Sequence, residues 1–315
     1  MKNFCALASL RETFPVCFSI SQMIKKNKYG SSGIELPVLG FGAGLIGSPD
    51  MDENYAGYFV NQIVDLGITF IDTARGYGLS EERVGRHLSW RRNDYILSTK
   101  VGYSIPGYQD WTYECIVAGI HHALKQMRTD HIDIVHLHSC PKEVLERGDV
   151  TAALHAMVKE GHVRVAAYSG ENDALDFAFH NGDFGGLMSS VNIFDQRAIE
   201  SFVAPSAKKG IGYIAKRPIG NAPWLHSAQP HGNYCEEYWK RMKAMGLDLG
   251  DEWLDTALRF TAFTPGISCS IVGTTNLDHI KKNIEIVEKG PLPKDLTQRL
   301  RDAFNAHDQH WDGQV

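Results

Sequence analysis

The chain has 315 residues, of which 43% are hydrophobic and 22% are charged, and its formal net charge is −5. These values are typical of a globular protein that buries one large core or two smaller ones. The slight acidic balance gives no reason to expect a nucleic acid or a membrane surface as a partner. No apolar run reaches the roughly 18 residues that a membrane-spanning helix needs.

The cysteines and the start of the chain indicate the compartment. The six cysteines lie at positions 5, 17, 115, 140, 235 and 269, without C-x-x-C spacing. This scatter is typical of reduced thiols, and we therefore expect a cytoplasmic protein. Residues 1–22 resemble a secretory signal poorly, because Arg11 and Glu12 interrupt the apolar stretch. We expect residues 1–22 to be a disordered extension or a start assigned too far upstream, and residues 23–315 to form one domain.

Short apolar or β-branched runs alternate with amphipathic stretches along the rest of the chain. Strands are predicted at 38–42, 68–72, 95–100, 132–138, 163–169, 187–194, 212–217 and 269–273. Helices are predicted at 53–67, 80–88, 111–127, 149–160, 172–180, 197–209, 251–263 and 277–288. Strands that alternate with helices are parallel, and eight such units in about 260 residues predict an α/β fold, the (β/α)₈ TIM barrel. A hairpin predicted at 28–36 precedes the first strand and would plug the barrel floor.

A glycine motif in the first strand–helix loop supports an alternative fold. The segment "GAGLIG", residues 42–47, fits the G-x-G-x-x-G pattern of a Rossmann unit, and the acid Asp72 ends the next strand. In a Rossmann unit, however, the helix begins inside the glycine motif, so that its amides meet the pyrophosphate. Here "SPDMD" separates the last glycine from the helix, and Pro49 keeps Ser48 extended. The barrel is therefore the favoured interpretation.

The carboxyl ends of barrel strands form the active sites of this fold, so polar residues there are the first candidates. Asp72 follows the second strand, Lys100 ends the third, His138 ends the fourth, and Tyr77 lies in the loop beyond Asp72. A phenol, whose pKa is about 10, becomes a useful acid when a nearby ammonium stabilises its phenolate. Asp72 would hold Lys100 charged, and His138 would hydrogen-bond a substrate oxygen. This set predicts acid-assisted reduction of a carbonyl group.

Three segments resemble the signature regions of the aldo-keto reductases, in the same order and at similar spacing. They are "FIDTARGYGLSEERVGRHL" at 70–88, "STK" at 98–100 and "IDIVHLHS" at 132–139. The resemblance covers roughly residues 23 to 290, and that family is a (β/α)₈ barrel with a floor hairpin. It implies that Asp72, Tyr77, Lys100 and His138 form the catalytic tetrad. It also implies hydride transfer between a nicotinamide and a small aldehyde, ketone, alcohol or sugar, with Tyr77 as the proton donor.

The resemblance further implies which residues hold the cofactor. The predicted contacts are Ser169, Asn192, Lys216, Arg217, Gly273, Thr274, Thr275, His279 and Asn283. Near the nicotinamide the chain departs from the family, because Ser169 is followed by glycine and Lys216 stands where an aromatic residue is usual. At the phosphates, Thr275 and Asp278 are predicted to form a capping box that opens the last helix. NADP(H) is the predicted cofactor because Lys281 and Lys282 are close, with NAD(H) as the alternative.

Two alternatives to a reductase remain. His136 and His138 share a strand face and could chelate zinc in a metal-dependent barrel hydrolase, although no third ligand stands out. The barrel could also serve as a nucleotide-binding redox sensor or a regulatory subunit, because a fold does not determine a function.

Overall fold

The computed structural model describes residues 24–314; the prediction for residues 1–22 concerns a segment outside this range. Ten strands are present in this range. They are β1 (Lys26–Lys28), β2 (Glu35–Pro37), β3 (Leu39–Gly42), β4 (Phe70–Asp72), β5 (Ile96–Val101), β6 (Ile132–His138), β7 (Val163–Ser169), β8 (Gly186–Ser190), β9 (Gly212–Lys216) and β10 (Cys269–Val272). Strands β3 to β10 pair in parallel and close into an eight-stranded barrel in which β10 lies beside β3. The predicted (β/α)₈ barrel is confirmed, and a closed barrel excludes the open Rossmann sheet.

Eleven α-helices cover the outside of the barrel in the described range. They are α1 (Glu53–Asp65), α2 (Ser80–Leu88), α3 (Tyr113–Met127), α4 (Lys142–Arg147), α5 (Asp149–Lys159), α6 (Asn172–Asn181), α7 (Ala204–Lys209), α8 (Glu236–Ala244), α9 (Trp253–Ala262), α10 (Leu277–Glu288) and α11 (Lys294–His307). Eight of them match the predicted crossover helices. Helices α4, α8 and α11 were not predicted.

Two predicted elements differ from the structure for local physical reasons. The continuous helix predicted at 197–209 is a π-helical turn, Ile199–Val203, followed by α7. Pro205 lies in the first turn of α7, and its missing N–H interrupts the α-helical bonding of the preceding turn. The strand predicted at 187–194 ends at Ser190, because Asn192 and Asp195 exchange both backbone hydrogen bonds in a tight turn.

The hairpin formed by β1 and β2 plugs the barrel floor, as predicted. Tyr29, Ile34 and Leu36 of this segment are buried together with inward-facing strand residues such as Phe70 and Ile214. Tyr29 is the centre of the plug because two strands carry glycine where its ring lies. A Cβ added at Gly186 would lie 1.7 Å from the Tyr29 hydroxyl oxygen, and one at Gly212 would lie 2.2 Å from its ring.

We expect Gly212→Ala to destabilise the protein by roughly 1–3 kcal/mol or more, because the added methyl group overlaps the fixed Tyr29 ring. Gly119→Ala is the matched control, since its Cβ would make ordinary contacts 3.6 Å from Val101. Gly119 lies inside α3, where alanine is favoured over glycine by about 0.5–1 kcal/mol. Urea unfolding of both variants measures the two free energies. Equal effects of the two substitutions would contradict the plug geometry.

Within residues 24–314, no helix combines the length and the apolar character needed to cross a bilayer.

Candidate active site

The strand register places the predicted polar residues at one mouth of the barrel. Asp72 at the end of β4 pairs with Ser98 on β5, and Lys100 on β5 pairs with His136 on β6. His138 ends β6, two residues beyond His136 and therefore nearer the mouth. Because parallel strands end on the same side, three neighbouring strands bring an acid, an amine and an imidazole together. The structure therefore gathers Asp72, Lys100 and His138 as the sequence predicted.

A buried ion pair joins two of these residues. Asp72 and Lys100 are 1% and 2% exposed, and Lys100 Nζ lies 2.5 Å from Asp72 Oδ2. The ammonium also donates to the Thr73 carbonyl at 2.8 Å, and Ser98 Oγ donates to Asp72 Oδ1 at 2.8 Å. Burial by itself lowers the pKa of Lys100, but the Asp72 carboxylate outweighs this effect and raises the pKa above its ordinary value. Lys100 is therefore a permanent cation inside the barrel mouth.

Tyr77 lies directly beside this cation. Lys100 Nζ is 4.9 Å from the centre of the Tyr77 ring. The ring meets that of His138 edge to face, with centroids 5.9 Å apart and an interplanar angle of 88°. Tyr77 is partly exposed, so a molecule that enters the mouth can reach it. The four residues predicted as a tetrad thus form one constellation.

The glycine motif of the first loop supports Tyr77. The Gly47 carbonyl accepts a hydrogen bond from the Leu79 amide at 2.9 Å. A Cβ added at Gly47 would lie only 1.7 Å from the Tyr77 carbonyl oxygen, and Gly44 lies against the face of the Tyr77 ring. Gly78 has a φ of +55° and packs against the Gly47 backbone in turn. The motif that suggested a Rossmann unit therefore lets two loops approach closely enough to position the phenol.

His138 is held by a residue that the sequence analysis did not single out. The Tyr103 hydroxyl lies 2.7 Å from His138 Nδ1, and the two rings stack at an angle of 26°. Burial, followed by the positive charges of Lys100 and Lys216, lowers the pKa of His138 to about 3. The imidazole is therefore neutral at physiological pH. The other candidate zinc ligand, His136, is buried with Nδ1 3.3 Å from Ser98 Oγ, and no cluster of three potential ligands exists in residues 24–314.

The loop after β10 and the start of α10 carry the predicted phosphate contacts. The helix is found at 277–288 as predicted, but the predicted capping box is wrong. Asn276, not Thr275, caps α10 and accepts from the Asp278 amide at 2.8 Å. Thr274 Oγ1 accepts from the Asn276 amide and lies 3.2 Å from His279 Nδ1. Gly273 and Thr275 are exposed, and Asn283 is buried on the inner face of the helix.

The predicted nicotinamide contacts lie at the ends of β7, β8 and β9. Ser169 ends β7 and is buried. Asn192 lies two residues beyond β8 rather than on it. Its amide donates to the Arg217 carbonyl at 3.1 Å, and its oxygen accepts from the Phe194 amide at 2.8 Å. Both polar atoms of Asn192 are thus bonded to the backbone of the loop, and its contact with a carboxamide stays a prediction.

Lys216 forms an ion pair that the sequence analysis missed. Its Nζ lies 3.1 Å from Glu171 Oε1, which also accepts from the Ser190 amide at 2.8 Å. Burial lowers the pKa of Lys216, although the Glu171 charge opposes this effect. The mouth of the barrel therefore contains a second ion pair, Glu171 with Lys216, on the side away from Tyr77.

The C-terminal segment crosses this side of the mouth. Arg217 donates to Ser190 Oγ at 3.0 Å and to the Gln314 carbonyl, and it packs on the Tyr234 ring. The Gly313 amide donates to the Asn172 side chain at 2.7 Å. The segment is anchored further because Arg241 donates to the Asp312 carbonyl. These contacts make residues 312–314 part of the wall of the site.

Asp195 beside this wall is buried, and Arg241 is its close countercharge. Burial and the charge of Glu171 raise its pKa to about 7, and Arg241, 3.5 Å away, only partly offsets them. Because the pKa in the folded chain lies above the ordinary value of 3.8, folding favours the protonated acid. The corresponding stability is present below about pH 4 and is lost as the pH rises through 7.

We therefore expect Asp195→Asn to raise the free energy of unfolding at pH 8 by roughly 2–4 kcal/mol, and to have little effect near pH 4. Asp308→Asn is the control, because we expect it to change the free energy of unfolding in the opposite direction. Burial alone would raise the pKa of Asp308, but hydrogen bonds from Arg197 at 2.7 and 2.8 Å lower it. Its contribution is present above pH 4, so Asp308→Asn should destabilise the protein at neutral pH. Urea unfolding at pH 4, 6 and 8 measures both, and parallel pH profiles would contradict the assignment.

A closed barrel with a lysine, a tyrosine and a histidine at its mouth is compatible with an oxidoreductase of the (β/α)₈ type. The sequence model of the aldo/keto reductase family matches residues 38–304. The chain belongs to the aldo/keto reductase family, and it is an NAD(P)H-dependent enzyme of that family.

Several characterised and uncharacterised proteins are similar along nearly their whole length. An uncharacterised oxidoreductase of Bacillus subtilis, YqkF, is 26% identical over 90% of this chain and 99% of its own. L-galactose dehydrogenase of Arabidopsis thaliana is 26% identical over 84% and 88%. A probable voltage-gated potassium channel subunit beta of the same plant is 26% identical over 84% and 91%. The holo form of aldo-keto reductase AKR11C1 from Bacillus halodurans superposes with a TM-score of 0.77, at 25% identity, over 89% and 96%.

Proposed function

We propose that this protein reduces an aldehyde or ketone, or oxidises the corresponding alcohol or sugar, with NADP(H) as the hydride carrier. The observation that carries the proposal is the contact of the Lys100 ammonium with the Tyr77 ring, 4.9 Å from its centre, inside a mouth of largely buried residues. A phenol beside a buried cation is a proton donor suited to a carbonyl oxygen. Tyr77 supplies that proton, and Lys100 stabilises the phenolate that remains.

Each of the other two residues has a distinct role. The Asp72 carboxylate accepts a hydrogen bond from the Lys100 ammonium at 2.5 Å and keeps the lysine charged in spite of its burial. His138 is neutral, and its Nε2 forms no hydrogen bond within residues 24–314, so it is available to the substrate oxygen. Tyr77 and His138 then bind the same substrate oxygen, which fixes that oxygen next to the phenolic proton of Tyr77.

The remaining residues of the mouth fit a bound dinucleotide. A nicotinamide, when bound, supplies or accepts the hydride at the substrate carbon. At one end lies the N-terminus of the twelve-residue helix α10, a position that favours anions, and Gly273, Thr274, Thr275 and His279 would hold the phosphates. Asn283 would contact the adenine. At the other end, Ser169, Asn192, Lys216 and Arg217 would hold the nicotinamide. Lys281 and Lys282 favour NADP(H) over NAD(H).

The test combines binding and turnover. Titration of the protein fluorescence with NADPH and NADH measures both affinities, and we expect tighter binding of NADPH. Turnover is then measured on a panel of aldehydes, ketones, quinones and sugars; the name of the plant relative, L-galactose dehydrogenase, is the reason to include sugar oxidation. NADPH that binds but is never oxidised by any member of the panel, with NADP⁺ never reduced by any alcohol or sugar, would refute the proposal.

A regulatory role is the second candidate, and one observation favours it. Three relatives, from Arabidopsis thaliana, rice and fission yeast, bear the name of a potassium channel subunit beta. On this alternative the bound nucleotide is a redox signal rather than a substrate. Single-turnover oxidation of bound NADPH distinguishes the two roles. An enzyme oxidises its bound NADPH with a member of the panel, whereas a sensor lacks turnover on the panel but changes its partner binding with the redox state of the nucleotide.

A further inference from the structure

Tyr103 has no part in the four-residue mechanism, yet it contacts one of the four residues, His138, closely. The phenolic oxygen lies 2.7 Å from His138 Nδ1, and the two rings stack with centroids 5.6 Å apart. An imidazole binds a substrate oxygen through an N–H group, so the ring nitrogen that carries the proton decides whether His138 can act. The partner of Nδ1 determines that choice.

We propose that Tyr103 is a positioning residue that donates its hydroxyl proton to His138 Nδ1 and thereby keeps the imidazole proton on Nε2, ready for the substrate oxygen. The inference rests on the proposed function, since it gives His138 the role of a hydrogen-bond donor in carbonyl reduction. Tyr103 is not a second proton donor to the substrate in this arrangement, because its hydroxyl proton is used in the bond to the imidazole.

The direction of this hydrogen bond follows from the chemistry of the two groups. His138 is neutral at physiological pH, so only one of its nitrogens carries a proton, and the other is a strong acceptor. Burial, with the charge of Tyr77, raises the pKa of Tyr103, so its proton stays on the oxygen. A neutral phenol donates well and accepts poorly, whereas the bare imidazole nitrogen accepts well. The favoured arrangement is therefore O–H to Nδ1, with the N–H on Nε2.

The loop that carries Tyr103 is built to hold this ring. Trp111 meets the Tyr103 ring at 63° with centroids 5.8 Å apart, and its amide donates to the Gly102 carbonyl at 2.8 Å. Gly102 has a φ of +148°, and a Cβ there would lie 2.1 Å from the Trp111 ring. Arg75 donates to the Ser104 carbonyl at 3.0 and 2.6 Å. These contacts fix the loop on both sides of Tyr103.

The experiment measures the tautomer of His138 directly by ¹⁵N NMR of histidine-labelled protein, with His138→Gln used to assign its signals. In the wild type we expect a protonated Nε2 and a bare Nδ1. In Tyr103→Phe, which keeps the stacked ring, we expect the Nδ1–H tautomer to appear. We also expect kcat/KM for the carbonyl substrate to fall about tenfold, as for loss of one hydrogen bond, with the Kd for NADPH unchanged. Tyr108→Phe, in an exposed position of the same loop, is the matched control and should change neither.

Three results would overturn the proposal: a wild-type His138 with its proton on Nδ1, an unchanged tautomer in Tyr103→Phe, or an altered tautomer with unchanged kcat/KM. Failure of the proposed function gives a different pattern. In that case the wild type shows no turnover on the substrate panel, while the NMR measurement still reports whether Tyr103 sets the tautomer.

Discussion

Tyr77→Phe should reduce carbonyl turnover by about 10³-fold or more, while NADPH binding and folding stay as in the wild type. The substitution removes only the hydroxyl group and keeps the ring that packs on Lys100 and His138. Proton transfer from a positioned side chain contributes about 10²–10⁴-fold to a rate. The nearby phenol of Tyr103 cannot replace that of Tyr77, since its hydroxyl is bound to His138. Steady-state kinetics with NADPH and an aldehyde measure the loss.

The control separates the loss of the hydroxyl group from a general effect of removing a tyrosine. Tyr108→Phe lies on an exposed part of a neighbouring loop and should keep wild-type turnover. Fluorescence titration shows whether each variant still binds NADPH. Loss of NADPH binding in Tyr77→Phe would mean that the residue supports the structure of the mouth rather than the chemistry, and wild-type turnover would refute its role as proton donor.

Lys100→Met should lower both activity and stability, because it leaves the Asp72 carboxylate buried without its countercharge. Asp72 is 1% exposed, and among residues 24–314 its carboxylate would retain only the hydrogen bond from Ser98 Oγ in that variant. Breaking a buried ion pair from one side costs about 3–5 kcal/mol. Turnover should fall about 10³-fold, since the phenolate of Tyr77 loses its cation. Urea unfolding and aldehyde kinetics give the two quantities.

The double variant Asp72→Asn/Lys100→Met separates the two effects. It removes the stranded charge together with the lysine, so most of the lost stability should return. Its turnover should remain as low as that of Lys100→Met, because the cation beside Tyr77 is still absent. Recovery of activity in the double variant, or wild-type stability in the single one, would show that the ion pair does not have the role assigned to it.

Most of the barrel could be predicted from the sequence because its signals are periodic and local. Strands such as 132–138 and 163–169, and the helices at 80–88 and 277–288, have the predicted bounds. The differences arise where tertiary contacts override local patterns. The run 187–194 looks like one strand, but the Asn192–Asp195 turn ends it early, and Pro205 divides the helix that follows. Helices α8 and α11 lie outside the repeating unit, so the alternation of strands and helices gave no sign of them.

The candidate site was predictable to the extent that strand ends determine it. Asp72, Lys100 and His138 could be placed together because parallel strands end on one side. The contacts of Tyr103 and Glu171 could not be predicted, since the partner of each, His138 or Lys216, lies far away in the chain and on another strand. The cap of α10 was displaced by one residue, because Thr275 and Asn276 are both residue types that cap helices.

The close approach of Gly47 to the loop of Tyr77 has a consequence for protein engineering. Main chain touches main chain at this point, with the Gly47 carbonyl bound to the Leu79 amide. Libraries that vary exposed side chains away from this point, such as Leu225 and Tyr108, leave the backbone contact intact. Any library that includes position 47 or 78 would be dominated by inactive clones, so these two codons are best left unrandomised.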